Sequence, residues 1–564
     1  MSDQEVWKSV SRVGAAFAAV ALATGLTACG GGGGSSGGGT TTSPPPPPSP
    51  PPPPTPTSVE ISGQVTFDKV PFNTATNGLN YNAITQLPAR GVIVEAVDSS
   101  GTTVLDTDTT DMMGNYQVSV DSNTDVRIHV SAQIQQTSGP SWDVRIVDNT
   151  NNNALYTLTG SLTSSGAANS TRNLNAGSGW GGSSYTGTRA AAPFAILDGM
   201  YEVIQDFSAV DPSVTFPSLQ VFWSVNNRAA NGNDADGDIG TSSYTRVGGV
   251  PTVKVLGDAD SDTDEYDTHV IVHEFGHYFE DQVSRSDSIG GSWGTTQRLD
   301  PRLAFGEGFG NALSGMILDD PIYRDSGGAG QAGGFSINVE NNNNSVEGWY
   351  SAASVQSILY DIYDSNNDGA DVIAGGLAPL YNTLTRSDYT GQATFTTIFS
   401  FVDRLRAEGS VSDTDLTALL TAQNVNGTGL TGVGETNNGG IAATLPVYKS
   451  VTVGGPAVTV CSSDNNGTFN NLGVRDFLTF TTASSGSRTL TMTRSSGDTG
   501  RDPDFILYRG ATVEDSSQDP PAESETTDPF NPMLDAGDYV VEAYDAENTS
   551  GSSPGDSCYD FTVQ

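Results

Sequence analysis

The stretch THVIVHEFGHYFEDQV, Thr268 to Val283, holds three of the four histidines of a 564-residue chain, His269, His273 and His277, within nine consecutive positions. In an α-helix residues four apart lie one above the other, so His273 and His277 can aim both imidazoles at one atom. Ile271, Phe275, Phe279 and Val283 form a second stripe at the same spacing. This predicts a helix whose apolar face is anchored in a core while the histidine face looks into a cleft. Gly276, lacking a side chain, admits close approach by a neighbouring element. His-Glu-x-x-His is the spacing of a zinc-hydrolase helix. Neutral imidazole suits Zn²⁺, and Glu274, next to the first histidine, is badly placed to bind the ion but can reach a water beside it and take its proton. The bland alternative is a surface helix with accidental histidines.

Charge narrows the partners. Lys and Arg total 24 against 65 acidic residues, a net charge of −41. Nucleic acid and anionic membrane surfaces repel such a chain, so no nucleic-acid partner is expected. Solubility and calcium are compatible with it.

The N-terminus has a weak basic region, Lys8 and Arg12, then the small-residue run VGAAFAAVALATGL, too short and alanine-rich for a membrane span. Residues 1–28 read as a signal peptide. Its end, Leu26-Thr27-Ala28-Cys29, resembles the bacterial lipoprotein box, which implies lipidation of Cys29. Gly30 stands where an aspartate often marks inner-membrane retention, so the expected address is an exported outer-membrane lipoprotein facing periplasm or cell surface. Residues 29–58 are glycine-rich and then proline-rich, a tether whose polyproline part, at about 3.1 Å per residue, spans roughly 40 Å. With Cys29 lipidated, Cys461 and Cys558 remain as an even pair in an exported chain. That argues for one disulfide.

The length allows roughly three or four domains. Residues 59–176 alternate strand-like runs (VEISGQVTF, RGVIVEAVD, GNYQVSV, DVRIHVSAQI) with turn residues and predict a β-sandwich. His129 reads there as an ordinary strand histidine. Residues 184–446 predict an α+β domain, mainly helical after the His-Glu-x-x-His helix. AAPFAILDGMYEVIQDF is an amphipathic helix with Pro193 near its start, and LQVFWSV and VPTVKVLG are strands. DPRLAFGEGFGNALSGMILDDP is a second helix capped by Asp300, with Pro301 in its first turn and Pro321 at its end. Its four internal glycines each cost about 1 kcal/mol of helix propensity, so close packing against the first helix is expected of them. Residues 447–564 return to short strands and predict a C-terminal β-sandwich or jelly roll.

Three resemblances follow. SGQVTFD, PARGVIVEAVDSSG and TDTTDMMGNYQVSV resemble the transthyretin-like regulatory domain of some carboxypeptidases, and RDFLTF, DPDFILYRG and LDAGDYVVEAYD the pre-peptidase C-terminal domain of secreted bacterial proteases. Between them, HEFGH followed by GEGFGNA resembles the gluzincin zinc metallopeptidases, the thermolysin and fungalysin groups among them. A metzincin would need glycine at 280 and histidine at 283, where this chain has Glu280 and Val283. The gluzincin resemblance implies a thermolysin-like fold, His273, His277 and Glu307 as zinc ligands, Glu274 as general base and Asn311 as the partner orienting a ligand histidine. It also implies a protein or peptide substrate. Glu280 is the rival third ligand. His269 is a neighbour of the site or a group at the helix start.

No histidine follows His277, so the residue such enzymes use against the oxyanion is missing. Tyr350 or Tyr360 are the candidates to replace it. The same departure supports the alternative function, an inactive metallopeptidase fold serving as a surface binding protein. VPTVKVLG, as the edge strand of the cleft, would bind substrate backbone. Calcium is a second candidate ion, at the acidic loop Asp258 to Asp267 or at Asp364, Asn366 and Asp368, which match the start of an EF-hand loop but have Gly375 at its twelfth position.

Overall fold

The computed structural model describes residues 57–366, 369–518 and 532–564. The signal peptide, Cys29, the tether up to residue 56 and Asp368 lie outside the described residues. No helix among the described residues is long and apolar enough to cross a membrane.

The first strands are β1 (Ser58–Lys69), β2 (Val92–Val97), β3 (Val104–Thr109), β4 (Asn115–Asp121), β5 (Asp125–Gln136) and β6 (Trp142–Asp148). Alternation makes them: in β5, Val126, Ile128, Val130, Ala132 and Ile134 are buried while the residues between face outward, His129 among them. β1 pairs antiparallel with β4 at the centre of a five-stranded sheet. The facing sheet does not end with this region. After α1 (Ala192–Val210), β7 (Leu219–Trp223) pairs in parallel with β6 and with β9 (Val250–Val255), and β8 (Ser243–Val247) closes the edge antiparallel to β9. The main path of this ten-stranded sheet is β8-β9-β7-β6-β5-β2-β3. It therefore joins strands from both sides of the 176/184 boundary drawn from composition. VPTVKVLG, which forms β9, is an interior strand; the edge is β8, because the run SYTRV pairs on one side only.

Next come α2 (Thr268–Gln282), α3 (Pro301–Leu318), the hairpin of β10 (Ile322–Gly327) and β11 (Gly333–Asn338), and helices α4 (Ala352–Tyr363), α5 (Leu377–Thr385), α6 (Ile398–Glu408) and α7 (Asp413–Ala422). Asp300 caps α3 through the Arg302 amide, and the helix ends on Asp319 in the left-handed conformation. Every residue of α3 except Leu318 is buried, which fits a helix apolar on nearly all sides. Its glycines divide between two neighbours. A Cβ at Gly310 would lie 2.8 Å from His273 Nδ1, and one at Gly306 3.4 Å from a Glu280 oxygen, both on α2. At Gly308 and Gly315 it would meet Val355 and Tyr360 of α4 at 2.5 and 2.9 Å. Packing against α2 alone was thus half of their role: α3 is clamped on two sides.

The last region is a two-layer sandwich. Its strands are β12 (Tyr448–Ser450), β13 (Val458–Ser462), β14 (Arg475–Thr482), β15 (Leu490–Gly497), β16 (Pro503–Arg509), β17 (Thr512–Ser517), β18 (Gly537–Asp545) and β19 (Ser557–Val563). One sheet runs β12-β14-β18-β16-β17 and the other β13-β19-β15, around a core that includes Leu478, Phe480, Phe505 and Phe561. Cys461 and Cys558 face each other on β13 and β19 and are bonded.

Candidate metal centre

α2 presents His273 and His277 on one face, and the glycine contact between α2 and α3 brings Glu307 to them. Only a bare backbone fits there: a Cβ at Gly276 would lie 3.3 Å from Gly310 Cα. His273 Nε2 is 3.0 Å from His277 Nε2 and 3.2 Å from Glu307 Oε2, and His277 Nε2 is 3.4 Å from the same oxygen. Three donor atoms thus form a nearly equilateral triangle. A tetrahedral zinc with bonds of about 2.0–2.1 Å has ligand-to-ligand edges of about 3.3 Å. The triangle therefore matches one face of that tetrahedron, and two nitrogens with one carboxylate oxygen are the chemistry zinc takes.

The outer nitrogens are also held. His273 Nδ1 meets Asn311 Oδ1 at 2.9 Å, and Asn311 Nδ2 donates to Gln356 Oε1 of α4 at 2.8 Å. His277 Nδ1 lies 3.3 Å from Glu280 Oε2. Glu280 therefore stands behind His277, on the side away from the triangle. As rival ligand it is on the wrong side of the imidazole, because a residue three further along the helix reaches the outer nitrogen only.

Electrostatics agree with a site that gathers positive charge. Burial alone would raise the Glu307 carboxyl, but His277 first, with His273 beside it, outweighs burial and holds it at about 2. Glu274 is 8% exposed, and burial raises its carboxyl, with His273 and His277 pulling it partly back and a hydrogen bond from the Tyr244 backbone doing the same. A carboxylate raised in this way is a better proton acceptor than an exposed one. Tyr244 belongs to β8, so the edge strand of the sheet passes beside Glu274.

Two aromatic residues complete the surroundings. Trp293 lies parallel to the His273 ring at 6.3 Å, and Tyr323 of β10 stands edge-on to it at 6.1 Å. Neither was singled out from the sequence, since nothing local marks a loop tryptophan or a strand tyrosine as a neighbour of a helix. The tyrosines that were singled out lie elsewhere. Tyr350 donates to Asn437 at 2.6 Å, and Tyr360 packs at Gly315. His269 is buried one turn before His273, with Nε2 3.3 Å from the Asp320 carbonyl, and burial pushes it down to about 4. It is a neutral packing group outside the triangle.

Residues 232–424, about a third of the chain, match the Mycolysin C-terminal domain family. No similarity to a curated protein was found. Among solved structures, the precursor of protealysin, a metalloproteinase from Serratia proteamaculans, aligns at 9% identity over 52% of this chain and 90% of that one, with a TM-score of 0.30. The pre-peptidase C-terminal domain of a Bacillus anthracis collagenase aligns at 16% identity over 21% of this chain and 94% of that one, with a TM-score of 0.15. A periplasmic inhibitor of g-type lysozyme from Aeromonas hydrophila aligns at 15% identity over 21% and 99%, with a TM-score of 0.12. Through the matched segment, which contains His273, Glu274, His277, Glu307 and Asn311, the chain is metallopeptidase-related.

Proposed function

We propose that this chain is an exported zinc metallopeptidase of gluzincin type, anchored to the outer membrane through a lipidated Cys29 and cutting peptide bonds in protein or peptide substrates. The observation that carries the reading is the triangle of His273, His277 and Glu307, with edges of 3.0–3.4 Å and an independent carboxylate, Glu274, on the same helix. Zinc bound there would polarise the scissile carbonyl and make an adjacent water acidic. Glu274 takes the proton of the attacking water and returns it to the leaving amine. Asn311 and Glu280 hold the two imidazoles in the orientation that keeps both Nε2 atoms on the triangle. β8, the free edge of the sheet beside Glu274, would align a substrate backbone by strand addition.

The test separates the residues that hold the ion from the one that uses it. The purified chain should carry about one zinc, and alanine at His273 or His277 should remove most of it, since two remaining ligands hold zinc poorly. Glu274→Gln should keep zinc while hydrolysis of a quenched peptide mixture falls about 10² to 10⁴-fold. Zinc and activity that survive Glu307→Ala but are lost in Glu280→Ala would overturn the ligand assignment. The competing reading, a surface binding protein with an inactive fold, is favoured by the absence of a histidine after His277. It wins if zinc is present and no peptide is cut.

A further inference from the structure

The loop between α2 and α3 is held from the far end of the chain. Between β13 and β14 of the C-terminal sandwich, residues 469–472 run alongside residues 298–300, which lead into α3. The Leu472 amide donates to the Arg298 carbonyl at 2.9 Å, Asn471 and Leu299 form an antiparallel bridge, and the Asn470 carbonyl accepts from the Asp300 amide at 2.8 Å. The Asn470 side chain turns to an earlier part of the same loop. It is 3% exposed, and its Nδ2 donates to the Gly290 carbonyl at 3.1 Å and to the Ser292 carbonyl at 3.0 Å. A side-chain amide has two N–H donors, and both are spent on this one turn.

The turn is shaped for that contact. Gly290 and Gly291 have φ of +64° and +98°, a backbone that residues with side chains rarely adopt. A Cβ at Gly291 would run into the Phe469 ring and lie 2.8 Å from Asn470 Nδ2, so the sandwich segment fills the space a side chain would need. Phe469 has φ of +61°, which is costly for a bulky residue and persists only where the surroundings hold it. Just beyond the turn stands Trp293. It packs with Ile289 on a small apolar cluster that includes Leu299, Leu303 and Ala304, and its ring lies parallel to that of His273 at 6.3 Å. Residues 290–292 are Gly-Gly-Ser, so the turn has almost no side chain of its own with which to fix itself. Docking of the sandwich does not call for the contact either, because the ion pair of Arg302 with Glu542 already ties the sandwich to α3.

We infer that Asn470 is a positioning residue for the metal centre. Through the carbonyls of Gly290 and Ser292 it fixes the turn that keeps Trp293 beside His273, and the C-terminal sandwich is thereby a working part of the catalytic region rather than a separable module. What Trp293 borders rests on the metal centre proposed above; the joint between Asn470 and the loop does not.

The full chain carrying Glu274→Gln, which removes the proposed base, is the material to test. Asn470→Asp keeps the shape of the side chain but sets an oxygen against both carbonyls. Gly291→Ala breaks the same joint from the loop side, where an exposed turn can shift without unfolding the chain. Hydrogen exchange in peptides spanning residues 288–300 should quicken about tenfold or more in each variant, while α2 and β18 exchange as in the parent. Cobalt(II) added to the metal-free chain quenches tryptophan fluorescence by energy transfer that falls steeply with distance, and the share lost in Trp293→Phe belongs to Trp293. Most of that share should disappear in both variants, although metal analysis still finds cobalt bound. A contact that only glues the sandwich in place would quicken exchange and leave the quenching as it was. Unchanged exchange in both variants, or a Trp293 share that survives in both, would overturn the inference. Should Asn470→Asp quicken exchange throughout the sandwich, its own domain has unfolded and Gly291→Ala decides. A parent that takes up no cobalt sinks the metal reading instead, and exchange alone then decides whether Asn470 holds the loop.

Discussion

Asn311 Oδ1 sits 2.9 Å from His273 Nδ1, across the contact between α3 and α2. The amide itself is pinned, because its nitrogen donates to Gln356 on α4 at 2.8 Å. With the carbonyl oxygen facing the ring, Nδ1 must carry the proton, and Nε2 turns its lone pair toward His277 and Glu307. Asn311→Ala is expected to weaken zinc binding by about 10 to 100-fold, the usual cost of losing such a partner. Asn311→Asp should bind zinc at least as tightly as the parent. Competition with a chromophoric chelator measures both; unchanged affinity in Asn311→Ala would mean that packing alone orients His273.

The parts of the site legible in the sequence are those encoded by helical spacing. His273 and His277 are four apart, Asn311 is four beyond Glu307, and the apolar stripe Ile271, Phe275 and Phe279 is buried as its period requires. Asp300, Pro301 and Pro193 bound their helices for the same local reasons. What could not be read depends on contacts between distant segments. Gln356 supports Asn311 from α4, and Trp293 and Tyr323 reach His273 from a loop and a hairpin. Asp325 comes near Asp262 and Asp264 of the acidic loop before α2 only because β10 folds back beside it. The edge of the sheet was misplaced by one strand, since SYTRV is too polar to announce itself next to VPTVKV.

Cys461 and Cys558 are directly opposite on β13 and β19, 97 residues apart in sequence. Loop-closure entropy for that separation is on the order of 4–5 kcal/mol, and removing native disulfides typically costs about 2–5 kcal/mol. The double alanine variant should therefore lower the stability of the C-terminal sandwich by an amount in that range, read from its denaturant midpoint. Peptide mapping without reduction should recover the two cysteines linked. Two free thiols in protein collected outside the cytoplasm would contradict the pairing.

Cys29 closes the tetrapeptide Leu-Thr-Ala-Cys, and the glycine- and proline-rich run after it suits a spacer between membrane and folded chain. The mature protein should begin at Cys29, carry lipid mass on that residue and fractionate with outer membranes. Cys29→Ser should move it to the soluble exported fraction. An unmodified N-terminus in membrane-bound protein would rule the anchor out.

Arg302, five residues before Glu307, is where the C-terminal sandwich grips α3. Its guanidinium donates to Asp300 at 2.9 Å and to Glu542 of β18 at 2.8 and 3.2 Å, and it lies 4.6 and 4.9 Å from the ring centres of Phe395 and Phe477. Glu542 also accepts from Arg475 at 2.6 Å and from Tyr508 at 3.0 Å. Burial alone would raise its carboxyl, but the charges of Arg302 and Arg475 and these hydrogen bonds hold it at about 2. A carboxylate depressed in the folded state stabilises the fold above its unfolded pKa, near 4.5, and that contribution fades as pH falls toward about 2. Glu542→Gln takes the counter-charge from Arg475 and one of two from Arg302, which keeps Asp300, so it should cost about 3–5 kcal/mol at neutral pH. Near about pH 3 the parent has begun to lose the same interaction, and the gap between the two proteins should narrow. Urea unfolding of the full chain at the two pH values measures it. Equal stability at neutral pH, or a gap that does not shrink in acid, would mean that this network does not hold the sandwich to α3.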